Sequence, residues 1–160
     1  MKILILGAAG QIARMLRNEL INRTDHSIVL YARNGHKRLT INDDNREVIF
    51  DGDFKDKDKL IDAMKDVDLV YINDMGDDKS TKAIIDAMHT LLRLTCLYNE
   101  NGNSKYMITQ KGEPFIGAQV TRQAVTQLIM DIIEEKSDKY LQTSLGVSEP
   151  YTDWAKPSFY

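Results

Sequence analysis

Cysteine is almost missing from this sequence: Cys96 stands alone among 160 residues. A single thiol closes no disulfide within the chain and builds no cysteine metal cluster. In the run Leu94-Thr95-Cys96-Leu97 it reads as a small buried hydrophobe. Net charge is equally scarce. The 21 basic and 24 acidic residues leave −3, so no broad field draws the chain to nucleic acid or to an anionic membrane surface. No apolar stretch approaches the roughly 20 residues of a bilayer crossing. The opening run Lys2 to Leu6 is too short for a signal peptide and enters glycine rather than a cleavage site. A cytoplasmic protein is expected, with neither nucleic acid nor membrane as partner. His26, His36 and His89 lack metal-ligand spacing, and the acidic stretch Asp51 to Asp58 lacks the ordered ligands of a calcium loop, so no metal site is expected. Repeats, low-complexity stretches and linkers are also missing, and 160 residues suit a single domain.

What is present alternates. Lys2 to Leu6 is a short apolar run ended by glycine, as in a strand buried on both faces of a parallel sheet. From Gln11 to Asn22 the residues Ile12, Met15, Leu16 and Leu20 recur at helical spacing. Ser27 to Tyr31 and Arg46 to Phe50 predict a second and third strand, with Gly52-Asp53 as the break. Leu60, Ile61 and Met64 mark a second helix between Asp56 and Lys65, and Val67 to Ile72 a fourth strand. Asp77 or Asp78 is positioned to cap a helix with Ala83, Ile84, Ala87 and Met88 on its apolar face. Leu91 to Leu97 predicts a further strand. Tyr106 to Thr109 and Pro114 to Val120 predict short strands around a turn at Lys111 and Gly112. Thr121 then caps a helix carrying Ala124, Val125, Leu128, Ile129, Ile132 and Ile133. Beyond Glu134 no period is clear, and the aromatic tail from Tyr151 to Tyr160 is expected to pack on the domain or on a partner. The whole predicts an α/β protein with a Rossmann-type open parallel sheet flanked by helices.

The glycine pattern Gly7-x-x-Gly10-x-x-Ala13 lies between the first strand and the first helix, the context that gives it physical weight. Gly7 permits a tight turn, Gly10 lets the backbone approach a pyrophosphate, and small Ala13 allows close helix packing. The N–H groups at the helix start, supported by its dipole, face the phosphates. Gly7, Ala9, Gly10, Gln11 and Ile12 are therefore expected to hold a dinucleotide. The adenosine ribose lies at the tip of the second strand in such a fold. The tip reads Tyr31-Ala32-Arg33-Asn34, with no acid to bind a ribose 2′-hydroxyl and an arginine to clamp a 2′-phosphate. NADP(H) is favoured and NAD(H) stays possible. Lys37 and Arg38 add positive charge nearby or form a solvated loop. Asp53 and Phe54 suit the adenine, as hydrogen-bond acceptor and ring support, although Asp53 also fits a simple strand end. Asn73, Asp74 and Gly76 end the fourth strand at the expected ligand crevice, where Asp74 equally suits a helix entry.

These residues resemble the atypical short-chain dehydrogenases/reductases of the NmrA-like, NAD(P)H-binding type. The resemblance rests on ILILGAAGQIAR at 3–14, LYARN at 30–34, GDF at 52–54, DVDLVYIND at 66–74 and LLRLTCLYN at 91–99. It continues through GEPFIGAQVTRQAV at 112–125 to the closing KPSFY, and so covers most of the chain.

The resemblance also exposes a gap. Family members generally carry another strand and helix between the segments resembling 79–89 and 91–99, and the catalytic Tyr-x-x-x-Lys pair, in members that have it, lies there. Here only Thr90 separates His89 from Leu91. A βαβ passage needs roughly 30 residues or more, so one strand-helix unit is lacking in the middle. Either the protein has lost it or a segment lies outside this sequence. No tyrosine has a lysine four residues on, and no catalytic residue is assigned. The expectation is an NADP(H)-dependent oxidoreductase acting on a small quinone or carbonyl substrate. The alternatives are a non-catalytic dinucleotide-binding redox sensor or regulator with a protein partner, and an NAD-dependent epimerase or dehydratase.

Overall fold

The computed structural model describes residues 1–73, 90–135, 138–140 and 143–159. The chain divides into two compact units, Met1–Asp86 and Ala87–Tyr160. The expected helix over 79–89, Asp74 and Gly76 fall outside the described residues.

Unit 1 begins with β1 (Lys2–Leu6), α1 (Gln11–Arg23) and β2 (Ser27–Ala32), and continues through the short helix α2 (Gly35–Arg38), β3 (Glu47–Asp51), α3 (Lys57–Ala63) and β4 (Leu69–Ile72). Its four strands are all parallel, in the order β3-β2-β1-β4. Reversal of strand order beside β1 is the doubly wound pattern, in which ligands bind beyond the carboxyl ends of the strands. Ile3, Leu4, Ile5 and Leu6 are all fully buried, which explains why β1 reads as a continuous apolar run rather than an alternating one. Burying each such side chain contributes about 1.5–3 kcal/mol.

The helices depart from expectation in instructive ways. On α1 the buried face is Ile12, Ala13, Leu16, Arg17 and Leu20, so Arg17 joins the stripe. Its Nε donates to Glu47 Oε1, and its Nη2 donates to Glu47 Oε2 at 2.7 Å. Glu47 also accepts from the backbone N–H groups of Asn42 and Asp43 at 2.7 and 3.1 Å. Burial alone would raise the Glu47 pKa, but the Arg17 bond and these two N–H groups hold it below the ordinary carboxylate value. Arg46 closes the other end of α1 by donating to the carbonyls of Leu20, Ile21 and His26. On α3, Ile61 is exposed and Ala63 is buried, correcting the expected apolar face.

Unit 2 contains β5 (Thr90–Leu94), β6 (Cys96–Tyr98), β7 (Met107–Thr109), β8 (Gln119–Thr121), α4 (Arg122–Glu134), a single 3₁₀ turn at Asp138–Tyr140, and β9 (Thr143–Ser148). The expected single strand over 91–97 is two strands broken at Thr95. β5 runs parallel to β9 and β6 parallel to β8, while β7 is antiparallel to β9. The run thus finds its partners in β9 and β8. Cys96 is exposed, a second correction, to its expected burial. The strand expected over 114–120 is confined to Gln119–Thr121. Thr121 caps α4 as expected, its hydroxyl accepting from Ala124 N–H at 2.9 Å. The tail is pinned in part: Ser158 donates to Gln119 Oε1 through N–H and hydroxyl, and Phe159 stacks on Tyr98 with centroids 5.5 Å apart.

Residues 73–89 alone separate β4 from β5, too short an interval for the extra strand-helix passage, which needs roughly 30 residues or more. The Rossmann-type sheet is present and the middle unit is not.

Candidate functional site

The site forms where β1, β2 and β4 end together. Gly7 adopts φ +76°, a left-handed conformation that any Cβ would strain, and its N–H and that of Ala8 both donate to the Tyr31 carbonyl at 2.9 and 3.1 Å. The loop is thereby stapled to the end of β2. Gly10 N–H returns to the Gly7 carbonyl at 2.9 Å, closing the turn that feeds α1. No side chain caps α1 at Gly10, and its first turn carries no acid. The Ile12 and Ala13 N–H groups therefore point beyond the helix with its dipole behind them, as an anion requires.

Asn73 meets this loop from β4. A Cβ on Gly10 would lie 1.8 Å from Asn73 Nδ2 and 3.3 Å from the Gly7 carbonyl oxygen. The glycine is thus required by protein as well as by any phosphate. Asn73 is held in turn by Tyr71, whose hydroxyl donates to Asn73 Oδ1 at 3.1 Å, and burial keeps that phenol strongly protonated.

A cleft of about 170 Å³ opens over these groups. Gly7, Ala9, Gly10 and Asn73 form its phosphate-loop side, while Ala32, Arg33, Arg38 and Phe54 form the other. Six residues read from the sequence as a cofactor site are therefore brought together: Gly7, Ala9, Gly10, Arg33, Phe54 and Asn73. Gln11 opens α1 beside them. Ile12 turns its side chain into the core, leaving only its backbone to a ligand. Asp53 is not part of the lining; its carboxylate stands 3.9 Å from the Arg33 guanidinium, with both side chains about half exposed or more. Such an exposed pair is worth little, so Arg33 keeps its reach.

Of the two readings left open for Arg38, added positive charge or a solvated loop, the structure places it in the cleft lining, its guanidinium donating to the Arg33 carbonyl at 3.4 Å, while Arg14 donates to the carbonyls of Ala9 and Arg38. The feature that sequence reasoning missed is Tyr31, fully buried beneath the loop after β3. Its hydroxyl donates to the Asp53 carbonyl at 2.8 Å, and its ring stacks on Phe54 with centroids 5.9 Å apart. Burial, followed by the nearby carboxylates Asp56, Asp53 and Asp51, raises its pKa. A Cβ at Gly52 would lie 2.3 Å from the phenol oxygen, so the GDF sequence is shaped around Tyr31.

No curated protein sequence matches this chain. Residues 7–91 match the NAD(P)H-binding family, a span that takes in the glycine loop, the tip of β2 and Asn73. The chain belongs to the NAD(P)H-binding family. It is similar to a short-chain dehydrogenase/reductase from Veillonella parvula DSM 2008, solved in ethylated form, with 29% identity over 99% of each chain and a TM-score of 0.90. The wide-type protein from the same organism, solved in complex with NADP, gives 29% identity over 99% of each chain and a TM-score of 0.91. A Rossmann-fold NAD(P)-binding family protein from Shigella flexneri gives 30% identity over 99% of this chain and 98% of that one, with a TM-score of 0.83. The expected kinship with atypical short-chain dehydrogenases/reductases is borne out. For a member of the NAD(P)H-binding family, the uncapped helix start, the small residues around it and the basic rim are the parts that a dinucleotide needs. Among the described residues no helix is long and apolar enough to cross a membrane, and no group of three or more His, Cys, Asp or Glu is placed to hold a metal.

Proposed function

We propose that unit 1 binds NADP(H) in preference to NAD(H), with the pyrophosphate on the Gly7–Gly10 turn and the 2′-phosphate at Arg33. The observation that supports this reading is the basic rim of the cleft, whose lining holds Arg33 and Arg38 beside the tip of β2 and, among the described residues, no acidic one. The NADP complex of the Veillonella parvula relative supports it further. Phe54, braced by Tyr31, offers a ring face to the adenine. Asn73 offers its amide beside the loop. When bound, the cofactor supplies hydride chemistry, and the protein supplies binding and orientation. Calorimetric titration of NADPH and NADH tests the reading: NADPH binds more tightly, and equal affinities would overturn it.

The substrate class we infer is a small quinone or carbonyl compound, with quinones favoured. The sequence has no Tyr-x-x-x-Lys pair to donate a proton to a carbonyl oxygen, and general acid catalysis contributes about 10²–10⁴-fold where present. The same feature favours a second reading, a non-catalytic redox sensor that regulates a protein partner. NADPH oxidation across matched ketone and quinone panels separates the two. Quinone turnover supports the oxidoreductase; tight NADPH binding without turnover of any acceptor supports the sensor.

A further inference from the structure

The end of β4 carries two side chains that recognition of a 2′-phosphate leaves unused. Tyr71 and Asn73 are two residues apart and so share one face of the strand as it ends. Asn73 N–H donates to the Leu6 carbonyl at 2.8 Å, which pins its backbone beside the last residue before Gly7. Its side chain then lies against Gly10: a Cβ there would meet Nδ2 at 1.8 Å and Cγ at 2.9 Å. The nitrogen is thus the end of the amide turned to the glycine loop. Tyr71 fixes that direction. Its hydroxyl donates to Asn73 Oδ1 at 3.1 Å, and burial raises the pKa of the phenol, which keeps its proton at neutral pH. A reversed amide would set its N–H groups against the phenol oxygen and take this acceptor from the phenol proton, and a buried donor left without its bond is costly.

The strand order β3-β2-β1-β4 puts β2 on one side of the glycine loop and β4 on the other. Arg33, Gly7, Gly10 and Asn73 all line the same cleft of about 170 Å³. With the 2′-phosphate at Arg33, a dinucleotide laid across this crevice has its adenosine end over β2, and its other half lies beyond the loop, on the side of Asn73. The phosphates of a dinucleotide bridge are ionised at neutral pH and only accept hydrogen bonds. An asparagine amide serves such an oxygen through its nitrogen alone, and a bond to an ionised acceptor is stronger than one between neutral groups. The orientation that Tyr71 imposes is the one that a phosphate requires.

We propose that Asn73 donates to the nicotinamide-side phosphate of NADP(H), and that Tyr71 is the positioning residue that turns the amide towards it. Both roles rest on the reading of unit 1 as an NADP(H) site. The test is calorimetric titration of the whole protein with NADPH and with adenosine 2′,5′-bisphosphate, which keeps the adenosine and its 2′-phosphate and lacks the nicotinamide half. In Tyr71→Phe, NADPH affinity should fall by about three- to tenfold while the bisphosphate binds as it does to the wild type. Equal losses for the two ligands would mean that the variant disturbs the loop as a whole, and no loss would mean that the amide is not used; either overturns the inference. In an Asn73→Ala background the Tyr71→Phe change should cost NADPH nothing further, because the phenol acts through the amide. Losses that add would overturn the positioning role. A wild-type protein that binds neither ligand would overturn the NADP(H) reading and these roles with it, whereas one that binds both, with Tyr71→Phe leaving their ratio unchanged, overturns the roles alone. Should Asn73→Ala fail to fold, the Tyr71→Phe comparison of the two ligands still decides.

Discussion

Two arginines expose the same edge of their guanidinium groups in the two units, and their surroundings could hardly differ more. In unit 1, Arg17 faces a fully buried carboxylate that two backbone N–H groups also serve. In unit 2, Arg93 faces no acceptor among the described residues. A closed pair fixes a helix to a strand; an open one leaves two buried donors without an acceptor among the described residues. The same side chain is thus a fastening in one unit and an unpaired group in the other.

Removing each partner sharpens the contrast. Glu47→Ala leaves Arg17 buried without its counter-charge, and breaking such a pair costs about 3–5 kcal/mol. Urea unfolding should register a loss of that order. Arg93→Met, by contrast, strands no carboxylate and exchanges unpaired buried donors for an apolar chain, so stability should hold or rise. A loss in Arg93→Met comparable to that in Glu47→Ala would erase the distinction.

Ligand binding tests the unit 1 cleft next. Arg33→Ala should cost NADPH about 1.5–3 kcal/mol of affinity and leave NADH nearly unchanged, because only the former brings a 2′-phosphate. The exposure of Arg33 places the expected loss towards the lower end. Gly10→Val should abolish binding of both cofactors in fluorescence titration, since a branched side chain must displace Asn73 and fill the phosphate approach. The fold should persist, because the first atoms it strikes belong to the end of a side chain.

The smallest effect is one of pH. Glu47 has a folded-state pKa below its ordinary value of 4.5, so its contribution to stability is complete above that value. It is lost as pH falls through the lower folded value. Unfolding midpoints measured from about pH 6 down to about pH 3 should show this loss, and Glu47→Gln should flatten that part of the profile. A profile equally steep in the variant would assign the acid sensitivity to other carboxylates.

The sequence disclosed unit 1 far better than unit 2, for a physical reason. A parallel strand buried on both faces announces itself, and β1, α1, β2 and the glycine loop emerge with nearly correct bounds. β9 did not, because Thr143–Ser148 buries small residues such as Gly146 and Ser148, leaving only Leu145 and Val147 as an alternating signal. The middle strand of the unit 2 sheet was therefore invisible, and with it the neighbours of Arg93. Arg17 was legible in principle: it lies four residues after Ala13 and three before Leu20, within the apolar stripe. Its partner Glu47 is 30 residues away, a separation that local pattern does not bridge. Among the candidate site residues, Gly7, Gly10 and Arg33 were found through backbone geometry and charge, which sequence carries. Arg38 was named only as nearby charge or solvated loop, because the one-turn helix α2 that carries it has no periodic signature.

Tyr31 and Gly52 also constrain how relatives of this protein can diverge. The phenol fills the volume that any side chain at position 52 would need, while its hydroxyl and ring hold Asp53 and Phe54. Neither position can drift alone. A lineage that gains a side chain at 52 must first shorten residue 31, and in doing so it releases the loop that carries Asp53 and Phe54; one that keeps the tyrosine inherits the glycine with it. The two positions are expected to change together, and cofactor preference is the trait most exposed when they do.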